Sequence, residues 1–207
     1  MYIENLPSPD SISNRGIKLH KIIYSSPNKI EWDAQSAFKI TNYYTEQEDH
    51  MVFCYLKQYV SDGNLKICTY CFDSQAHGKK DIQLCLNPNP VKTSNFFHIE
   101  FGIDGINRFE LVNPETKDIA CLDADVLQYH SFRTNDQQGY YWCGEITVSA
   151  ELIKEYFCTF LCEKSIVLLN FYKIFENSQD HASLFPDSEN DIMNKHNTME
   201  EFIVLNY

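Results

Sequence analysis

Short runs rich in Ile, Val, Phe, Tyr and Thr recur along the chain, each closed by turn-forming residues. The runs are Lys18–Tyr24, Ala37–Tyr44, Met51–Tyr59, Asn64–Phe72, Asp81–Asn87, Asn95–Ile103, Asn107–Val112, Tyr140–Val148, Ile166–Lys173 and Glu201–Tyr207. β-Branched and aromatic side chains fit a pleated, half-buried surface, so these runs predict strands. Ser61-Asp-Gly-Asn64, Asn87-Pro-Asn-Pro90, Asp104-Gly105, Asn113-Pro114 and Gln138-Gly139 supply the turns between them. Many short strands without long helices between them predict an all-β fold, an antiparallel β-sandwich of jelly-roll or immunoglobulin-like type.

One segment departs from this pattern. Ser149 precedes Ala-Glu-Leu-Ile-Lys-Glu-Tyr-Phe157, with Glu151 and Leu152 in the first turn. A serine cap and an early carboxylate predict a short helix joining two strands. Residues 1–16 are polar and rich in Pro and Ser, which predicts an irregular N-terminal arm. Glu176–Thr198 is polar and acidic, and a loop of that length in a compact domain is usually functional or irregular. No internal repeat is present, and residues 1–207 read as a single domain.

Composition narrows the function. Apolar residues make up 43% of the 207, too many for a disordered chain. No apolar run approaches the roughly 20 residues that span a bilayer; the longest, near Ile166–Phe171, is interrupted by Asn170. Seventeen basic against twenty-nine acidic residues give a net charge of −12, which argues against nucleic acid and against an anionic membrane face as partners. Much of that acidity falls between Glu176 and Glu201, where Lys195 is the one basic residue.

The first ten residues, Met1 to Asp10, carry neither a basic n-region nor an apolar h-region, which predicts no secretory signal. Most of the eight cysteines lie inside apolar runs, and buried thiols in a cytoplasm-like compartment are the expectation. The zinc alternative is Cys68-x-x-Cys71 with Cys158 and Cys162. It requires a turn at Cys68, where the pattern predicts a strand that points the two thiols to opposite faces.

No metal, nucleophile-elbow or phosphate-loop motif occurs. Glu100 and Glu145 are the one carboxylate pair considered for glycoside hydrolysis, and both sit in predicted strands where an outward charge is expected anyway. Aromatic residues form 14% of the chain and cluster at Tyr43-Tyr44, Tyr140-Tyr-Trp142 and Phe171-Tyr172. Such rings fill strand cores, and they also pack against the apolar faces of sugar rings.

The order of several weak motifs resembles the family 9 carbohydrate-binding modules, in particular their stand-alone bacterial relatives. Val167-Leu-Leu-Asn170-Phe-Tyr172-Lys173 is similar to the family's apolar strand ending in Asn-Phe-Tyr-Lys, and Asp180-His181-Ala-Ser-Leu-Phe185-Pro to the polar loop after it. Asp81–Pro88, Phe97–Gly105, Trp142–Ser149 and the closing Met199–Leu205 follow the same order. The resemblance covers about four-fifths of the chain. It implies a jelly-roll sandwich that binds sugar, carries no catalytic centre and often holds structural calcium.

The family grips a terminal sugar between two tryptophans. This chain has only Trp32 and Trp142, with Phe185 where Trp is common and Gln83 near the family's Glu. The resemblance implies Trp142, Tyr172 and Phe185 as platforms, and Asn170, Lys173 and His181 as hydrogen-bonding groups. Phe171 alternates away from Asn170 and Tyr172, toward the core. For calcium, Asp180, Asp187, Glu189 and Asp191 supply oxygen donors in one loop. A glycan-processing enzyme, or an interaction protein that kept the fold and lost the sugar site, are the rival readings.

Overall fold

The computed structural model describes residues 21–28, 30–44, 54–72, 82–136, 139–175, 181–187 and 191–207. Its strands are β1 Lys21–Ser25, β2 Phe38–Lys39, β3 Asn42–Tyr44, β4 Cys54–Ser61, β5 Asn64–Phe72, β6 Ile82–Asn87 and β7 Phe96–Gly102. They continue as β8 Gly105–Asn113, β9 Asp118–Cys121, β10 Gln128–Asp136, β11 Gly139–Val148, β12 Ile166–Ile174, β13 His181–Ser183 and β14 Glu200–Asn206. The helix α1 is Ala150–Phe157, and 3-10 turns occupy Trp32–Ala34, Ala124–Val126 and Ile192–Thr198.

All fourteen strands among the described residues join one sheet, in the order β10-β11-β5-β4-β1-β14-β12-β6-β7-β8-β9. Strand β13 bridges β12 and β3, and β2 pairs with β4. The expected purely antiparallel sheet is corrected to a mixed one. Strand β1 fills the gap between β4 and β14 and runs parallel to both. The sheet curls until β10, at one end of the order, lies against the turn between β7 and β8. Tyr129 Oη donates to Gly102 O at 2.6 Å and Ser131 Oγ to Ile103 O at 2.7 Å.

Alternation decides which residues fill the interior. Leu65 and Ile67 of β5, Ile82, Leu84 and Leu86 of β6, Phe97, Ile99 and Phe101 of β7, and Val167, Leu169 and Phe171 of β12 join one core. Burying a side chain such as Phe171 contributes about 1.5–3 kcal/mol. The opposite face of β6, β7 and β12 carries a smaller cluster, Cys85, Phe96, Val112, Tyr172 and Met199. Ile192 and Met193 of the 3-10 segment pack on it.

Local chemistry fixes the connections. The two-residue turn Asp62-Gly63 between β4 and β5 has φ of 51° and 78°, the hairpin turn that matches strand twist. Helix α1 starts as its sequence predicts: Ser149 Oγ accepts from Leu152 N at 3.2 Å, and Asn64 Oδ1 takes Ala150 N at 2.9 Å. It ends at Cys158, in the left-handed conformation, and buries Leu152, Ile153 and Phe157 in the core.

Three strands, β9, β10 and β13, escape the sequence pattern. β9 is exposed along its whole length and β10 is the polar edge of the sheet, so neither shows apolar alternation. The predicted Glu176–Thr198 loop contains β13 and the 3-10 turn Ile192–Thr198. The predicted run Ala37–Tyr44 divides into β2 and β3, which pair with different strands across the buried Ile40. The predicted arm 1–16 lies outside the described residues.

Candidate functional site

Strand β12 sends successive side chains to opposite faces, and this divides the residues expected to bind ligand. Phe171 joins the core as expected. Lys173 shares its face: the ammonium stands 5.6 Å from the centroid of the Trp142 ring. Trp142 is 4% exposed and packs in the main core. The ring face expected there as a platform is therefore covered, because Trp142 occupies an inward position of β11 beside Ile146.

Asn170, Tyr172 and His181 come together on the other face. Asn170 is fully buried and acts as a staple. Its Oδ1 accepts from Phe171 N at 2.8 Å and Phe185 N at 3.1 Å, and its Nδ2 donates to Thr198 O at 3.0 Å and Tyr172 Oη at 3.1 Å. The Tyr172 hydroxyl meets Thr198 Oγ1. Tyr172 has 0% exposure, so its ring faces are packed, and burial raises its phenol well above the ordinary value.

Lys195, from the 3-10 turn Ile192–Thr198, lies 3.4 Å over the Tyr172 ring centroid and 3.7 Å from Asp187 Oδ2. Burial lowers the Lys195 pKa, opposed by Cys85 and Asp187. The backbone N–H of Asp187 donates to Tyr44 Oη at 2.7 Å, and the Tyr44 ring stacks on His181 at 4.7 Å and 19°. These contacts clamp the 3-10 segment over β12 and β6. Phe185 is half-buried against Phe202 with Lys21 Nζ 4.3 Å over its ring.

This face opens beside the clamp. Gln83 and Glu100 share it, because the register runs Tyr172 to Gln83 to Glu100 across three strands. Gln83 Nε2 donates to Glu100 Oε2 at 3.1 Å, and both are half-buried, as is Tyr44. Half-open polar groups next to the half-buried Tyr44 ring, which is backed by the buried His181, can hold a ligand with hydroxyls and an apolar face.

Glu145 stands elsewhere. It alternates with the core residue Ile146, as Glu100 alternates with Ile99 and Phe101, so each carboxylate points away from the core on its own strand. Glu145 accepts from Trp32 Nε1 at 2.8 Å and Glu100 from Gln83. Nothing in these contacts pairs the two as acid and base.

Cys68 and Cys71 point to opposite faces of β5, and Cys71 Sγ meets Cys54 Sγ of β4 at 2.9 Å. Among the described residues no three His, Cys, Asp or Glu side chains gather as a metal site. Of the expected calcium donors, Asp187 pairs with Lys195 and Asp191 caps the 3-10 turn by accepting from Met193 N. Asp180 and Glu189 lie outside the described residues. No helix among the described residues is long and apolar enough to cross a membrane.

The residues that sequence reasoning missed around this face are Tyr44 and Lys195. In the sequence Tyr44 is simply one of a Tyr pair, and Lys195 is one basic residue in an acidic stretch. Their placement depends on β13 inserting between β3 and β12, which no local pattern signals.

No family model and no curated protein matches the sequence. Solved structures do. A Bacteroides uniformis protein assigned to carbohydrate binding superposes with a TM-score of 0.69 at 8% identity, over 88% of this chain and 97% of that one. A family 9 carbohydrate-binding module from Caldicellulosiruptor kristjanssonii, solved with glucose, superposes with a TM-score of 0.56 at 12% identity, over 91% and 96%. The chain has the fold of the family 9 carbohydrate-binding modules, and at these identities the likeness is one of fold.

Proposed function

We propose that this chain binds carbohydrate without catalysing a reaction, in a reducing, cytoplasm-like compartment. The observation that carries the reading is the shared fold, over nearly the full length of two proteins described by carbohydrate binding. The curled sheet then corresponds to the jelly-roll sandwich of that family. The compartment rests on the eight cysteines, all thiols, five of them buried.

The proposed site is the half-open face beside the clamp. Tyr44 offers the aromatic surface, with the buried His181 ring stacked behind it. Gln83 and Glu100 meet the hydroxyls. Asn170, Tyr172 and Lys195 hold the walls, and Trp142 and Lys173 support β12 from the core side.

The test is isothermal titration of the intact chain with a panel of mono- and oligosaccharides, repeated with His181→Ala and Gln83→Ala. Saturable binding to at least one sugar, weakened about fivefold in either variant, is the expected result, the scale of one lost neutral hydrogen bond or one ring contact. Heat from no member of the panel overturns the proposal. Glycan hydrolysis by the wild-type chain would overturn its non-catalytic part.

A further inference from the structure

Outward positions of three neighbouring strands build a second cavity, far along the strand order from the face described above. The register places Tyr59 of β4 opposite Lys66 of β5, and Lys66 opposite Thr147 of β11. One step to either side of this row, Ser61 toward one end of the strands and Glu145 toward the other occupy the same face. The 3-10 turn Trp32–Ala34 folds back over this row. Lys57 Nζ donates to Trp32 O at 2.8 Å and Trp32 Nε1 donates to Glu145 Oε1 at 2.8 Å, so backbone and ring are both tied down. The Trp32 and Tyr59 rings meet edge to face at 4.9 Å and 61°.

The cavity so formed has a volume of about 220 Å³. Its walls combine two aromatic rings, the Glu145 carboxylate, the Lys66 ammonium and the hydroxyls of Ser61 and Thr147. Lys66 Nζ donates to Thr147 Oγ1 at 3.3 Å. The second carboxylate oxygen of Glu145 bonds no protein donor among the described residues.

We infer that this cavity is a second ligand site, and that it takes one pyranose unit of a neutral sugar. The half-buried Trp32 ring, braced by the buried Tyr59 ring behind it, gives the apolar surface that a sugar's C–H face covers. A carboxylate that accepts and an ammonium that donates, with hydroxyls that do both, match a ring of alternating hydroxyl groups. Lys57 and Lys66 stand against Glu31, Asp33 and Glu145, with Asp33 3.9 Å from Lys57, so an anion is disfavoured. The volume lies below the roughly 300 Å³ at which clefts for larger ligands begin, which selects one ring over an extended chain. Because Nε1 is already held by Glu145, the Trp32 ring keeps its orientation and little ordering is left for the ligand to impose. This site shares the ligand class proposed above but none of its residues.

Trp32 is half-buried and Trp142 is in the core, so solute quenching reports on Trp32. The experiment measures acrylamide quenching of the intact chain with and without methyl glycosides of common hexoses and pentoses. The expected result is saturable protection of the quenchable tryptophan by at least one glycoside. In Glu145→Gln, which keeps the acceptor for Trp32 Nε1, and in Lys66→Ala the protection weakens about tenfold or more, as for a lost charge-assisted hydrogen bond, while His181→Ala leaves it unchanged. No protection by any glycoside overturns the inference, as does equal protection in Glu145→Gln and Lys66→Ala. Calorimetric binding lost in His181→Ala but untouched by both pocket variants overturns this second site and leaves the first standing. The wild-type quenching decides the question even where a variant does not fold.

Discussion

Asn170→Ala removes the staple that ties β12 to two later segments. The side chain is fully buried and bonds the Phe185 N–H and the Thr198 carbonyl, groups 15 and 28 residues away. Alanine abandons both. A buried backbone group left without a partner costs roughly 1–3 kcal/mol, so two give about 2–6 kcal/mol. Phe185 and Thr198 are half-buried and admit some water, which favours the lower half, about 3 kcal/mol. That is a large part of the roughly 5–15 kcal/mol that stabilises an ordinary domain. Urea unfolding followed by circular dichroism measures it: the midpoint falls while the m-value holds. The Phe185 amide then exchanges with solvent faster than in the wild type. A loss under about 1 kcal/mol, with Phe185 exchange unchanged, would refute the stapling role.

Three further outcomes follow from burial and backbone. In the native chain a thiol reagent modifies Cys121, Cys158 and Cys162 quickly, because they are exposed. Cys54, Cys68, Cys71, Cys85 and Cys143 react only after unfolding, since burial pushes Cys68, Cys85 and Cys143 to about 12; mass spectrometry of the labelled sites showing fast modification of those three contradicts the core. Gly63→Ala places a Cβ at φ +78° and 3.1 Å from the Ala150 Cβ, and thermal melting is expected to show a loss of about 1–2 kcal/mol, whereas an unchanged midpoint contradicts the turn. His98 is buried, with Nδ1 2.9 Å from Glu110 Oε2, and burial lowers its pKa although Glu110 and Glu100 oppose the shift and Lys195 adds to it. The folded chain then resists a proton that the unfolded chain accepts, so stability rises with pH through the window that ends at 6.5 and is lost below it. Urea midpoints at pH 5 and pH 7 show a smaller difference in His98→Asn, and equal differences would refute the assignment.

The strands with a buried face were legible in the sequence. β4, β5, β6, β7, β8, β11, β12 and β14 lie where alternation of apolar residues predicts them, because each has one face in the core. The helix was legible from Ser149, whose side chain does cap it. β9 and β10 were not, since an exposed edge strand has no need to alternate. β1 was foreseen as a strand, yet its parallel pairing was not, because register and direction are set by non-adjacent partners, β4 35 residues on and β14 181 residues on. The candidate residues follow the same division. Asn170 stood out as a polar residue inside an apolar run, and the structure gives it buried partners. Trp142 and Tyr172 were noticed for their rings, but ring content does not say which face is covered. The row Tyr59–Lys66–Thr147 was invisible, because it exists only once three strands are in register.

The central claim, carbohydrate binding on the face beside the clamp, is tested most directly by a 1H–15N NMR titration of the intact chain with glucose and short oligosaccharides. Saturable shifts at Tyr44, Gln83 and His181 are expected for at least one sugar. A spectrum in which no member of the panel moves any of these residues would contradict the claim.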